Sequence, residues 1–587
     1  MYFPLNILVI FFTLRYYVIF SIVRKWYFRT WVSPSGVSAM LRPFIIYFTN
    51  RLYIFRFMSI IVKSLSYIHP DKSPLFSAIS FSVAKGTKAS LVGNNGTGKS
   101  TLLNLIAGTL PLSGGEVFVS GKPYYIPQHL GQYDTYTIAG ALGVQQKIEA
   151  LHAILKGDAS AENFALLGDE WDIEERCNRA LSLWGLEDFS LSQSMGRLSG
   201  GEKTKVFLSG IMIYDAPVVL LDEPSNHLDR ESRTLLYDFI HKSKSTVLVV
   251  SHDRALLDLA EITFELTQDA IEAFGGNYTF YKAEKERKLL ALQSRLEAKE
   301  NTLKLARQRA RDIVVQRNKQ EVRGRQQGEK KGLPRIVMNA LQSKAEQNSS
   351  RMKEIQNDRI EGVSQDIREI KEQIKQQEIL KIALQSPDLY KGKVLVKAAD
   401  ILFAYGERKL WKNPLSFTIL SGERICIEGC NGSGKTTLVK ILTNQLQPFP
   451  GEIFRAEFSY LYIDQEYSLI NNALSVLEQA LQCNDRNLSE SEVKTLLHRH
   501  QFTREVWDRS CALLSGGEKM KLILCCVTLR NNAPDMIILD EPTNNIDVHS
   551  QEILTAAVKN FSGTLILISH DITFRNEIAI SKKITLF

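Results

Sequence analysis

The stretch GNNGTGKST at residues 93–101 returns as GCNGSGKTT at 429–437, and this internal repeat constrains the fold more than any other feature of the chain. Each copy follows a β-rich run, KASLV or RICIE, and precedes a helical pattern, LLNLIAG or LVKILTN. A strand that passes through a glycine-rich loop into a helix is the context a phosphate-binding loop requires. In the first copy, Gly93, Asn94, Asn95, Gly96, Thr97, Gly98, Lys99, Ser100 and Thr101 supply it; in the second, Gly429, Cys430, Asn431, Gly432, Ser433, Gly434, Lys435, Thr436 and Thr437. The glycines let backbone N–H groups crowd around a phosphate chain, and the helix N-terminus adds its positive dipole end. Lys99 and Lys435 are placed to meet the terminal phosphates, and the Ser100 and Thr436 hydroxyls to ligate Mg²⁺.

The companions of the loop repeat with it. VVLLDEP at 218–224 and IILDEP at 537–542 read as apolar strands ending in paired acids, in which Asp222 and Asp540 suit Mg²⁺ while Glu223 and Glu541 suit a general base for water. LSGGE occurs at 198–202 and 514–518, and SHD at 251–253 and 569–571 after further apolar runs. The spacings agree: Lys99 to Gln128 is 29 residues and Lys435 to Gln465 is 30, and each aspartate precedes its histidine, His252 or His570, by 30.

These motifs resemble the ATP-binding cassette, over nearly all of 60–280 and 393–587. The resemblance implies an α/β fold of two P-loop cassettes, 58–282 and 389–587, stacked head to tail with ATP between the phosphate loop of one and the LSGGE of the other. Site one would then combine Lys99, Ser100, Gln128, Asp222, Glu223 and His252 with Ser515, Gly516 and Gly517. Site two would combine Lys435, Thr436, Gln465, Asp540, Glu541 and His570 with Ser199, Gly200 and Gly201. A serine and two glycines opening a helix make a second anion site, able to grip the γ-phosphate when the halves close. The two histidines are expected at that phosphate, with Glu223 and Glu541 as the hydrolytic bases. Tyr67 and Tyr405 are candidates for stacking on adenine or for plain strand packing, and Asp229 and Asp547 match the loop through which paired cassettes communicate. Asn545 and Ile546 replace the first copy's His227 and Leu228, so equivalence of the two sites stays open.

The charge is local. Residues 1–57 hold seven Lys/Arg and no acid, and 281–380 hold 24 Lys/Arg against 15 acids, in a chain of net charge +8. Seven cysteines show neither CxxC pairing nor a disulfide framework. Residues 1–57 run almost unbroken in aliphatic and aromatic residues, with Arg15 interrupting them. They read as a membrane anchor, as a buried segment, or as sequence upstream of the true start; the expectation adopted is translation from Met58, where strand alternation begins.

Beyond Met58 no apolar run approaches membrane-spanning length, so a transporter ATPase would need separate membrane subunits. Twin-cassette recycling and repair proteins carry cysteine clusters that this chain lacks. The remaining resemblance is to the ABC-F translation factors, marked by a long charged linker. Here 283–388 fits: Leu289, Leu292, Leu296, Leu303, Ala306, Ala310 and Ile313 follow a 3–4 spacing broken at Lys299, and Ile360, Val363, Ile367, Ile370 and Ile374 repeat it. Two such helices with a turn between them make an antiparallel coiled-coil hairpin. Its tip, RGRQQGEKKGLPRI at 323–336, holds five basic residues against one acid, which suits RNA phosphate better than a neutral spacer does. The resemblance implies a monomeric, cytoplasmic ATPase that closes its two cassettes on ATP and Mg²⁺, binds the ribosome near its tRNA exit site and reaches toward rRNA and tRNA with the linker. A transporter subunit and a nucleic-acid-structure ATPase are the competing readings.

Overall fold

Five-residue aliphatic runs, VVLLD and TVLVV in the first half and TLILI in the second, are buried along their whole length, as strands inside a parallel sheet must be. The protein is seen here in a computed structural model that describes residues 57–587 except 159, 268–269, 331–334, 378–388, 407, 431, 545 and 587, without the side chains of most residues between 314 and 353. The expectations for residues 1–56, including the start at Met58, and for the turn at 331–334 lie outside the described residues.

In the first half six strands lie side by side in the order Tyr124–Ile126, Val218–Asp222, Thr246–Val250, Lys88–Val92, Ile262–Leu266 and Ile271–Phe274. All neighbours are parallel except the last pair. The second half repeats the plan with five parallel strands: Tyr460–Ile463, Met536–Asp540, Thr564–Ile568, Arg424–Glu428 and Lys582–Thr585. This order sets function. Three strands adjacent in space end in the acid pair, the histidine and the phosphate loop, so residues far apart in sequence converge at one sheet edge.

Each half adds a three-stranded sheet, Pro74–Ala84, Met58–Ile68 and Gly114–Val119 in the first, and Leu415–Leu420, Val394–Ile401 and Glu452–Arg455 in the second. The phosphate-loop helices, Lys99–Ala107 and Lys435–Leu442, bury their leucines in the cores these sheets enclose. Separate cores hold the helical lobes around Trp184 and Phe207 and around Val493 and Leu497.

Two helices join the halves, Tyr278–Lys330 with 53 residues and Arg335–Gln377 with 43. At 1.5 Å per residue they extend about 80 and about 65 Å. Lys299 pairs with Asp366 at 2.6 Å and Glu300 with Lys371 at 2.7 Å; Lys299 and Asp366 are equally far in sequence from the facing ends of the two helices, Lys330 and Arg335, so the helices run antiparallel. Leu289, Leu292, Leu296, Leu303, Ala306, Ala310 and Ile313 are half-buried, and Lys299 is too: an ion pair across the seam occupies the position that interrupts the apolar repeat. Ile367, Ile370 and Ile374 are buried opposite. Among the described residues no helix is long and apolar enough to cross a membrane.

His500 closes the helix Glu490–Arg499 in the second helical lobe, and its Nδ1 is buried without a hydrogen-bond partner. Burial lowers its pKa from 6.5 to about 4. The unfolded chain therefore takes up this proton first, and the stability contribution present above about pH 6.5 is lost as pH falls towards 4, by at most about 3 kcal/mol. Urea denaturation at pH 7 and pH 5 should show a smaller acid loss in His500→Phe than in the parent.

Candidate active sites

Between the end of the strand at Val92 and the first helical residue, Lys99, the chain has six residues in which to reverse and present its N–H groups. Gly98 makes the last step at φ +89°, and a Cβ there would stand 2.7 Å from both Leu75 and Phe76; Gly434 repeats the angle with Leu410 at 2.4 Å. Only glycine fits either place. Trp411 fixes the second loop by donating from Nε1 to the Ser433 carbonyl, 2.9 Å. Lys99 Nζ donates to the carbonyls of Gly93 (2.7 Å) and Asn94 (3.0 Å), and Lys435 to those of Gly429 (2.8 Å) and Cys430 (3.1 Å). Burial lowers the pKa of both lysines, opposed first by Glu223 and by Glu541.

Thr436 donates to Asp540 Oδ2 at 3.2 Å, and Ser100 lies near Asp222, where it opposes the rise that burial gives that carboxyl's pKa. Two tyrosines that the motif reading passed over approach the same oxygens: Tyr462 donates to Asp540 Oδ2 at 3.1 Å, and Tyr125 lies 3.5 Å from Asp222 Oδ2. A signal for them was present, because each stands three residues before its glutamine, Gln128 or Gln465. The glutamines themselves are exposed, and among the described contacts none joins either to the carboxylates.

Glu223 and Glu541 follow their strands in the left-handed region, φ 51° and 47°, an unusual conformation for glutamate that recurs in both halves. Their N–H groups donate to Val250 and Ile568, 2.8 Å each, which turns the carboxylates towards the histidines. His252 Nε2 stands 3.2 Å from Glu223 Oε1, and His570 Nε2 3.6 Å from Glu541 Oε1, without hydrogen-bonding alignment. Burial raises the pKa of Glu223 and lowers that of His252. It raises Glu541 to about 7, with Arg233 the strongest charge opposing it, and lowers His570 to about 4. Such close contacts between groups driven towards neutrality are not ion pairs.

The LSGGE segments open the helices Gly200–Tyr214 and Gly516–Leu529 with full capping boxes, in which Ser199 pairs with Glu202 and Ser515 with Glu518. Gly201 and Gly517 occupy the second helical position of each. The halves meet through Asp547, whose Oδ2 accepts from the N–H of Asn95 at 3.2 Å, and its charge also reaches Lys99 and His252. A Cβ on Gly517 would come within 3.7 Å of the same oxygen, so site one draws Asp547 and the second LSGGE to the first phosphate loop. Asp229 plays the corresponding part at site two, where its charge reaches Lys435 and His570. Asn431 and Asn545 lie outside the described residues; Ile546 is as buried as Leu228, so that exchange leaves the packing alike. Tyr405 is exposed and its hydroxyl lies 3.3 Å from Thr437, while Tyr67 meets His69 edge to face.

Asp222 Oδ1, Glu223 Oε1 and Glu541 Oε1 are buried without hydrogen-bond partners. Among the described residues no cluster of three His, Cys, Asp or Glu side chains could hold a metal unaided. A hydroxyl beside an aspartate with a free oxygen does fit Mg²⁺ whose other ligands come from phosphate and water.

Two strand–loop–helix phosphate loops, the first hydrogen-bonded to Asp547 of the opposite half, define the class of ATP-binding cassette ATPases, and relatives agree. A family model described as ABC transporter matches the chain twice, over residues 76–226 and 412–544. The protein is therefore an ATPase carrying two cassettes on one chain. Ribosome protection protein VmlR of Bacillus subtilis is 28% identical over 526 residues, which span 89% of this chain and 85% of that protein. ABC transporter F family member 5 of Arabidopsis thaliana is 27% identical over 533 residues, 85% of this chain and 71% of that one. A crystal structure of the archaeal ribosome recycling factor aABCE1 with the stalk protein aP1 shares the fold, with TM-score 0.54 and 19% identity over 89% of this chain and 87% of that one. With its twin cassettes and relatives named for the F family, the chain is an ABC-F-like protein.

Gly98→Ala and Gly434→Ala should each abolish one of two ATP-binding sites in equilibrium dialysis. The forced contact should also lower stability by about 1–3 kcal/mol, read by denaturant titration.

Proposed function

We propose that this protein closes its two cassettes on two ATP molecules, acts in that closed form on the ribosome near the tRNA exit site, and leaves on hydrolysis. The observation that carries the reading is the hydrogen bond from Asn95 to Asp547, because it ties the phosphate loop of one cassette to the loop that starts a helix in the other. The linker helix begins at the same place: Tyr278 is buried with Val92 and Leu257, against Val548 of the second cassette. Support for a ribosomal target comes from a relative named for ribosome protection and from the basic residues at 323–336.

In this reading Ser100 with Asp222, and Thr436 with Asp540, hold Mg²⁺, which would neutralise charge on the phosphates. Lys99 and Lys435 leave their loop carbonyls for the phosphate chain. Glu223 and Glu541 each orient and deprotonate a water, and His252 and His570 hold the γ-phosphate against it. Ser199, Gly200 and Gly201, with Ser515, Gly516 and Gly517, cover that phosphate from the opposite side. The protein works as a cytoplasmic monomer, its own two halves supplying both partners of each site.

Changing both Glu223 and Glu541 to Gln keeps their size and removes the base. Turnover should fall to about a hundredth or less while ATP still binds. The variant should co-sediment with ribosomes in ATP and not in ADP; sedimentation independent of nucleotide counts against the reading. Removal of Mg²⁺ with a chelator should stop hydrolysis in the parent.

The linker tip gives a second test. Replacing Arg323, Arg325, Lys330, Lys331 and Arg335 with Gln should leave basal ATPase within about twofold, since all five lie outside both cassettes in the sequence. Ribosome affinity of the ATP-trapped protein should fall, and its log–log salt dependence should flatten by roughly 0.7–0.9 per lost phosphate contact. An unchanged slope with unchanged translation makes the tip a simple cap.

A further inference from the structure

We propose that Arg230, Arg575, Asn576 and Lys583 form a third phosphate-binding site, shared by the two cassettes and separate from both ATP sites, whose ligand is a phosphate group, either free inorganic phosphate or the backbone of an RNA strand. No residue of the phosphate loops, the acid pairs or the SHD histidines lines it.

The internal repeat shows what is unusual about this place. In the first half Val92, Leu257 and Val548 gather around Tyr278 and Tyr281, at the root of the long linker helix. Each of the three has a counterpart. Val92 closes the strand Lys88–Val92 as Glu428 closes Arg424–Glu428; Leu257 and Arg575 each stand five residues after their SHD histidine; Val548 follows Asp547 as Arg230 follows Asp229. Three apolar residues are thus exchanged for two arginines and a glutamate. A seat that receives aromatic rings in one half is charged in the other.

Arg230, Arg575, Asn576 and Lys583 line a cavity of about 350 Å³ whose remaining lining is aliphatic. Arg230 comes from the first cassette, where it opens the helix Arg230–Lys242; the others come from the end of the second, on the helix Ile572–Glu577 and the strand Lys582–Thr585. Arg575 Nη2 and Lys583 Nζ, the latter at 3.3 Å, both turn to one oxygen, Glu428 Oε1. The neighbouring Glu577 is taken up by Arg254. Arg230 is exposed and takes part in none of the described ion pairs. Three cations against one carboxylate leave the cavity positive, and guanidinium, ammonium and amide donors face it from three elements. A planar carboxylate offers oxygens in one plane, whereas a tetrahedral phosphate meets donors arriving from several directions. The volume is about ten times the roughly 30 Å³ that a water molecule takes in the liquid, room for a phosphate with water around it. A ligand held by Arg230 on one body and by Arg575 and Lys583 on the other binds best when the halves stand together, so its binding favours that arrangement.

The test uses the full-length chain with Mg²⁺ and a nonhydrolysable ATP analogue in saturating excess, which fills both cassette sites. The five linker-tip residues are already Gln in every protein compared, so that RNA binding reads the cavity and not the tip. Inorganic phosphate is followed by phosphorus NMR line broadening and a fluorescein-labelled single-stranded RNA by anisotropy. Arg230→Gln with Lys583→Gln should raise the dissociation constant at least about tenfold, Arg230→Gln alone about threefold or more, and Arg230→Lys less than either. Both side chains are exposed, so the melting temperature should stay within about 2 °C of the parent's. A loss confined to phosphate identifies the free anion as the ligand, and one confined to RNA identifies the backbone; either upholds the site. Unchanged affinity for both probes overturns it. A loss in the double variant that is absent from Arg230→Gln overturns the sharing of the site between halves. Poly-glutamate bound more tightly than either probe, and lost in the same variants, overturns phosphate as the ligand in favour of an acidic protein segment.

Discussion

Each cassette places an acid pair at the end of a buried strand and leaves carboxylate oxygens there with nothing to accept. An unsatisfied buried acceptor costs about 1–3 kcal/mol, and a glutamate held at positive φ adds a similar amount. The fold sustains both because the strand is locked in parallel register with neighbours on each side, and Glu223 and Glu541 are tied by backbone hydrogen bonds to the strand beside them. The loop lysines bond to carbonyls of their own loops, and burial drives the glutamates towards the neutral form. In the proposed mechanism ATP and Mg²⁺ would partner these groups, and nucleotide binding would be a repair of local frustration as well as an attraction of charges.

The interface distributes that repair between the halves. Asp547 keeps its carboxyl ionised, its pKa lowered because Ser550 and the Asn95 N–H offset the effect of burial, and it also caps the helix Val548–Asn560 through the Ser550 N–H at 2.7 Å. One side chain thus begins a helix in the second cassette and closes a loop in the first. Arg254 pairs with Glu577 at 2.7 Å, a second bridge between the halves, with the arginine almost fully buried. A pair in that setting is costly to break, so the two bridges favour motion of the halves as bodies over local fraying.

Much of this was legible in the sequence because it is written twice. The loops, acid pairs, histidines and LSGGE segments carry fixed chemistry at fixed spacing, and the strand order then brings them to one edge. The linker seam was legible as well, since a 3–4 repeat specifies which positions are covered; Lys299 read as an interruption because a sequence does not reveal that Asp366 stands across from it. Tyr125 and Tyr462 carried a signal in their shared distance from a glutamine, but tyrosine in a strand is an ordinary β-former and gives no hint of its hydroxyl's partner. Arg254 and Glu577 were illegible for another reason. Their partners lie in the opposite half, and pairing between halves follows from geometry that no local pattern encodes.

The same geometry gives the linker its leverage. The phosphate loop of the first cassette touches Asp547; Asp547 caps the helix that carries Glu552; and Glu552 pairs with Lys282 at 2.9 Å, in the first turns of the long linker helix. Lys285 pairs with Glu265 of the first cassette and Lys288 with Glu272, so the root of that helix is held by both halves at once. A shift of one cassette against the other must therefore either break these pairs or tilt the helix. Tilting is the cheaper course, because partly exposed pairs on flexible lysines adjust their angle with little loss. Over about 80 Å of helix a rotation of only 5° moves the far end by roughly 7 Å. A small rotation at the root is thus a displacement of several ångströms at Lys330, the far end of the helix.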